Sequence, residues 1–297
     1  MTDKARHDAI ISTTLRLPAP AKLNRLLHIT GRRPDGYHEL QTLFQFLDLS
    51  DSVTLTARDD GQLVLANMLD GVAADDNLAL RAARLLKRQA PAGIAPRCGA
   101  TLAIDKRLPM GGGLGGGSSN AATVLVGLNA LWQLGLSLDA LAALGLELGA
   151  DVPVFVKGHS AWAEGIGEKL TAVTLDTPWF VIIHPGVSVS TPAVFSDPQL
   201  TRHTPPISMA RALQGGASTW QNDCEVVVKT HYPPVAQALD FLARFAPSRL
   251  TGTGACVFAA FDNAKDAKHV AQAASQYGTA WVAKGCNVSP LHDALGG

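Results

Sequence analysis

The 297 residues are enough for one large domain or two of ordinary size, and a hydrophobic share of 47% supplies a buried core. Formal charge is zero, with 25 basic and 25 acidic residues, which excludes a chain drawn to nucleic acid by its overall field. The four cysteines form no CxxC pair, so a local zinc knuckle and a dense disulfide framework are excluded; with no early apolar segment and no run long enough to span a membrane, the expectation is a cytoplasmic protein with free thiols.

In chain order, the first twelve residues read as a loosely held arm. Strand patterns follow at Leu15 to Leu17 and Leu23 to Ile29, with turns at Thr30-Gly31 and Pro34-Asp35-Gly36. Another strand carries Leu40, Thr42, Phe44 and Phe46, and two short ones lie at 53–55 and 63–65. Several strands before the first helix argue against a doubly wound sheet. That helix runs from Leu78 to Lys87, capped by Asp76 or Asn77. A strand from Ala100 to Ile104 leads through a glycine run into a long apolar helix after Ser118-Ser119. Ser137 caps the next helix, which Gly149 ends. Asp151 then precedes Pro153, a residue suited to a first helical turn. A boundary is expected near 174/175, giving an N-terminal unit of 1–174 and a C-terminal unit of 175–297. The second unit holds a strand at 179–183, helical material through the 190s to 240s, a strand at 256–261, a helix at 264–274 and a closing strand at 279–283.

The glycine run Gly111-Gly112-Gly113-Leu114-Gly115-Gly116-Gly117-Ser118-Ser119 lies directly before a helix. Glycines let backbone amides approach phosphate oxygens, and a helix start adds free N–H donors; the same run also suits a hinge. It is not a P-loop, because no lysine follows the last glycine. It satisfies GxGxxG at Gly111, Gly113 and Gly116, but Lys106 to Pro109 interrupts the strand-turn-helix passage that a dinucleotide fingerprint needs. Read alone, Asp151 is a helix cap, Lys22 a surface lysine, and Tyr37 and Phe195 core aromatics.

The segment from Pro109 to Ala122 resembles the nucleotide loop of the galactokinase, homoserine kinase, mevalonate kinase and phosphomevalonate kinase superfamily, with extra glycines. PAPAKLNRLLHITGRRPDGYH, LGADVPVF, HPGVSVSTP and LTGTGACVF extend the likeness along nearly the whole chain. They resemble the branch that phosphorylates 4-diphosphocytidyl-2-C-methyl-D-erythritol. The resemblance implies an α+β fold, with a ribosomal-protein-S5-like N-terminal domain and a ferredoxin-like C-terminal domain. It also implies transfer of the γ-phosphoryl group of ATP to the 2-hydroxyl of that alcohol, in non-mevalonate isoprenoid precursor synthesis. Asp151 and Lys22 are the implied catalytic pair. Asn77, Lys106, Pro109, Gly111, Gly112, Gly113, Gly115, Gly116, Gly117, Ser118 and Ser119 would hold ATP. Asn24, Tyr37, His38, Thr191, Phe195, Thr253 and Gly254 would hold the cytidylyl substrate, with Tyr37 and Phe195 on the two faces of the base and His38 reading its edge largely through backbone groups. Mg2+ is implied with ATP; its ligands are unassigned, and Glu164 and Glu168 fit either a metal or a hairpin. The expected partner is a small molecule, with no nucleic acid or membrane, and the chain a monomer or weak homodimer. A related alcohol kinase, a nicotinamide-dependent oxidoreductase and a non-enzymatic cytidine sensor are the competing readings.

Overall fold

A computed structural model describes residues 14–296, apart from the side chain of Ser218. The N-terminal arm expected at residues 1–12 lies outside the described residues. In chain order the elements are β1 (Thr14–Arg32), β2 (His38–Arg58), β3 (Leu63–Leu65), α1 (Leu78–Lys87), β4 (Gly99–Asp105), α2 (Gly116–Leu131), α3 (Leu138–Leu146), α4 (Val152–Lys157), β5 (Ala161–Glu164) and β6 (Lys169–Ala172). The rest of the chain forms β7 (Trp179–His184), α5 (Thr191–Ser196), α6 (Met209–Gly215), α7 (Glu225–His231), α8 (Pro233–Ala243), β8 (Ser248–Leu250), β9 (Val257–Phe261), α9 (Ala264–Ala273), β10 (Thr279–Cys286) and α10 (Pro290–Ala294).

The several short strands expected before the first helix are largely one ribbon of β1 and β2, paired antiparallel from Thr14↔Thr56 to Arg32↔His38. Pro18 and Pro20 lie between the two segments expected as separate strands, and proline cannot donate to a ladder. The strand instead passes through them, and its register shifts between Pro20 and Lys22, between Asn24 and Leu26, and between Ile29 and Gly31. Such irregularities re-aim side chains, and Lys22 and Asn24 stand between the first two. The other edge of β2 is shared by β5 at 42–44, β10 at 46–47 and β4 at 52–58.

Downstream of β6, the strand order β10-β7-β9-β8 is antiparallel throughout, with α7 and α8 between β7 and β8 and α9 between β9 and β10. This is the ferredoxin-like arrangement, and the α+β class is as expected. The run Phe180 to Ile183 is apolar at every position because both faces of β7 are covered. Val181 and Ile183 join the core beneath α8 and α9, whereas Phe180 and Ile182 point the other way.

The opposite face of β7 meets the N-terminal half in a shared core of Ala21, Leu23, Leu47, Leu108, Leu114, Phe180, Ile182, Cys256, Phe258 and Ala283. Arg25, only 1% exposed, crosses the same seam. Its guanidinium pairs with Asp176 at 2.5 Å and lies 4.5 Å from the Trp220 ring centroid. The chain then returns to its first half, since Leu291 of α10 packs into the core that holds Leu17, Phe46 and Leu125.

Candidate active site

Between the two halves lies a cleft of about 670 Å³, lined by Lys22, Asn24, Thr42 and Phe44 of the ribbon, the start of α1, residues 109–118, Asp151, Thr191, Phe195 and residues 252–254. Its glycine-rich wall is held by its carbonyls. Ala255 N donates to Gly111 O at 3.2 Å, Cys256 N to Gly112 O at 3.0 Å, and Lys22 N to Leu114 O at 3.0 Å. Gly113 has φ +77°, and a Cβ there would lie 2.2 Å from the Thr251 carbonyl oxygen, so the two glycine turns touch backbone to backbone. Leu114, 1% exposed, plugs the loop into the shared core.

Gly115, with φ +73°, starts α2, whose first helical residue is Gly116. Among the described residues, no amide from Gly111 to Ser118 donates to a protein acceptor. These N–H groups, together with the positive end of the helix dipole, form an anion cradle. Asn77 contributes differently from the loop. Its Oδ1 caps α1 by accepting from Ala79 N at 3.0 Å, and its NH2 group, which donates to no protein acceptor among the described residues, is available to a ligand.

Lys106 lines the cleft with its head tied to Asp51, a carboxylate with no exposed surface. Asp51 also accepts from the amides of Arg107 and Leu108, both at 2.8 Å, and from Asn120 Nδ2 at 2.9 Å. It therefore fastens β2, the entry to the loop and α2 to one another.

Asp151 occupies the N-terminal position of α4, but its side chain makes no capping hydrogen bond. The cap reading is corrected: the carboxylate faces Lys22, with Oδ2 3.2 Å from Nζ. Lys22 is only 3% exposed. Its ammonium also donates to Asn24 Oδ1 at 2.6 Å and sits 5.1 Å from the Phe44 ring centroid. Thr42 sets the Asn24 amide. Its hydroxyl donates to Leu26 O at 2.5 Å and so accepts from Asn24 Nδ2 at 2.9 Å, which turns Oδ1 toward the lysine. The pair is sealed from water on its lysine side and opens onto the cleft through Asp151, 36% exposed.

At the far end the Thr191 and Thr253 hydroxyls are 2.7 Å apart, and Asn222 Nδ2 donates to Gly252 O at 2.8 Å. Phe195 lines the cleft but stacks on His38, with centroids 4.9 Å apart and planes at 24°. Burial first, then the charges of Arg202 and Arg32, hold the His38 imidazole below its ordinary pKa. Three expected site residues are placed outside the lining. Tyr37 is 59% exposed in the β1–β2 turn, His38 lies behind Phe195, and Ser119 is fully buried in the first turn of α2 with its hydroxyl unpartnered. The remaining expected residues are brought together on the cleft wall.

Glu164 accepts from Gln41 Nε2 at 3.0 Å and Glu168 from Ile166 N at 2.6 Å, hairpin roles away from the cleft lining. Asp51, Thr42, Leu114 and Arg202 were not singled out from the sequence. Asp51 carried no signal, since it stands between Ser50 and Ser52 with Asp48 nearby, and the others look like ordinary strand, loop and surface residues.

Family models match the chain for the N-terminal domain of GHMP kinases over residues 77–159 and for the C-terminal domain of GHMP kinases over 207–280. The chain is 60% identical to 4-diphosphocytidyl-2-C-methyl-D-erythritol kinase of Chromohalobacter salexigens over 285 residues, 95% of this chain and 94% of that protein. A crystal structure of 4-(cytidine 5'-diphospho)-2C-methyl-D-erythritol kinase superposes with a TM-score of 0.79 at 32% identity, covering 91% of this chain and 99% of the other. Homoserine kinase from Cytophaga hutchinsonii shares the fold, with a TM-score of 0.68 at 18% identity over 95% of this chain and 98% of its own.

Proposed function

The chain belongs to the 4-diphosphocytidyl-2-C-methyl-D-erythritol kinases within the GHMP kinase family, and from that premise we propose that it transfers the γ-phosphoryl group of ATP to the 2-hydroxyl of 4-diphosphocytidyl-2-C-methyl-D-erythritol. The observation that carries the reading is the Lys22–Asp151 pair facing a cleft that a run of free amides also lines. The amides from Gly111 to Ser118 hold the triphosphate. Asp151 orients the acceptor hydroxyl and takes its proton. An aspartate near pKa 4 is far too weak to ionise an alcohol beforehand, so the proton moves late in a loose transition state. Lys22, fixed by Asn24, pairs with the carboxylate and draws charge from the transferring oxygens.

A magnesium ion belongs to the proposal. Among the described residues no group of three His, Cys, Asp or Glu side chains forms a metal cluster. Mg2+ keeps its waters and needs one or two carboxylates besides phosphate oxygens; Asp151 and the Ser118 hydroxyl, both on the cleft wall, fit that demand. Bound there, the ion would neutralise phosphate charge. The cytidylyl base is placed at the Thr191, Phe195 and Tyr37 end, and Asn24 acts on the acceptor through Lys22. One chain supplies every residue named, so a monomer suffices. Among the described residues all four cysteines are unpaired and no helix is long and apolar enough to cross a membrane, which supports a cytoplasmic setting.

The deciding measurement is ADP release with ATP, Mg2+ and each of three alcohols. The cytidylyl alcohol should give one ADP per 2-phosphorylated product, and mevalonate and homoserine none. Turnover on mevalonate or homoserine in preference to the cytidylyl alcohol would reject the assignment.

A further inference from the structure

The proposed reaction brings a triphosphate and a diphosphate into one cleft, yet the charged residues lining it are Lys22, Lys106, Asp76 and Asp151. Both lysines are already neutralised. Lys22 is paired with Asp151 at 3.2 Å and Lys106 with Asp51 at 2.5 Å. Among the described residues, no unpaired lysine or arginine lines the cleft.

The Asp51 carboxylate has no exposed surface, and its two oxygens have separate tasks. Oδ1 accepts from the Arg107 and Leu108 amides and holds the entry to the glycine loop. Oδ2 faces Lys106 Nζ and accepts from Asn120 Nδ2. Drawing the ammonium away would leave a buried carboxylate without its cation, a strongly unfavourable state. Lys106 nevertheless reaches the cradle, since a Cβ on Gly116, the first residue of α2, would lie 3.1 Å from its Nζ. An unpaired ammonium at that point would meet a phosphate oxygen.

We propose that Asp51 is a specificity-determining positioning residue: by holding Lys106 as one half of a neutral pair beside the loop, it makes the cradle take ATP as its magnesium complex and discriminate against the free nucleotide. Amides and a helix start orient phosphate oxygens with partial charges alone. The full negative charge of the nucleotide must therefore be met by an ion that arrives with it. An unpaired lysine beside Gly116 would supply that charge to either form and blur the distinction. The inference rests on the proposed ATP-dependent reaction and concerns the donor alone, so its test leaves out the alcohol.

Calorimetry measures ATP binding with excess magnesium, and with a chelator in its place, in the parent, Asp51→Asn, and Asp51→Asn combined with Lys106→Met. The parent should bind the magnesium complex at least about tenfold more tightly than free ATP. Asp51→Asn keeps an oxygen for the Arg107 and Leu108 amides and turns an NH2 group toward Lys106, which releases the ammonium into the cradle. Affinity for free ATP should then rise by about tenfold, the scale of one charge-assisted hydrogen bond, and the preference for the complex should shrink. Adding Lys106→Met should abolish that rise. A merely structural role for Asp51 gives a different result, because damage to the loop weakens both forms of the nucleotide. In the parent, where no variant has to fold, affinity for free ATP should barely change with added salt, as no unpaired cation faces the phosphates. Free-ATP binding that is unchanged or weaker in Asp51→Asn, a rise that survives Lys106→Met, or a steep salt dependence in the parent overturns the proposal. A parent that selects the magnesium complex but fails to phosphorylate the cytidylyl alcohol overturns the assigned reaction instead and leaves the role of Asp51 standing.

Discussion

Lys22 is nearly sealed from water, and its charge is met by one carboxylate and one amide oxygen. That environment makes the choice of substitution matter. Asp151→Ala would leave a buried ammonium short of its counter-ion, a loss of stability of about 3 kcal/mol or more, whereas Asp151→Asn keeps an oxygen in place and removes only the proton acceptor. For Asp151→Asn, steady-state kinetics should show kcat falling roughly 100-fold or more with KM for ATP little changed. A kcat within a few-fold of the parent would remove Asp151 from the chemistry. Thr42→Val should also lower kcat, because the freed Asn24 amide can turn its NH2 toward Lys22; Thr42→Ser should restore it. The sequence made these roles visible only through the family's motifs. A lysine in a strand and an aspartate before a helix have ordinary readings, and the capping one for Asp151 proved wrong because its carboxylate turns to Lys22.

The element most legible in the sequence was the glycine loop, since its composition requires both left-handed backbone and close approach. What the glycines approach was not legible, because the second turn at 251–254 is distant in sequence and packs mainly through backbone atoms. Gly113→Ala places a methyl group against the Thr251 carbonyl at a positive φ. The expected result is a rise in KM for ATP of about tenfold or more, as the two turns are driven apart. Gly135 is the control. It also has a positive φ of 67°, yet nothing lies within 4 Å of its added Cβ, so Gly135→Ala should lower stability by about 1 kcal/mol and leave KM unchanged. The α1 cap was readable at Asn77, and the α3 cap at Ser137, because both use local side-chain bonds that the sequence spells out. The short strands β5, β6 and β8 were not, since pairing partners rather than their own residues define them.

Across the whole molecule, burial holds His28, His38, His184 and His292 below their ordinary pKa of 6.5. Both ring nitrogens of His28 lack hydrogen-bond partners among the described residues, although Asp223 pulls its pKa the other way. The sign follows from the neutral form being favoured in the fold. Below about pH 6.5 the unfolded chain binds more protons, so stability present above that pH is lost as the pH falls. Denaturant midpoints should drop between about pH 7 and 5, and His28→Leu should flatten that slope. The same scale explains why domain limits were hard to read. β10 pairs with β7 over most of its length and with β2 at its end, and Leu291 finishes the first core. Composition along the chain cannot reveal a strand shared between two units.

The backbone bonds from Ala255 to Gly111 and from Cys256 to Gly112 have a mechanical meaning. The glycine loop is anchored to the ferredoxin-like half at one end and continues into a helix of the other half at its far end, like a strap riveted across a joint. Rocking the halves apart would shear those bonds at every turnover. Substrates should therefore enter and leave by movement of the rim, with the seam closed throughout, and the amides of Ala255 and Cys256 should exchange with deuterium only when the whole protein unfolds.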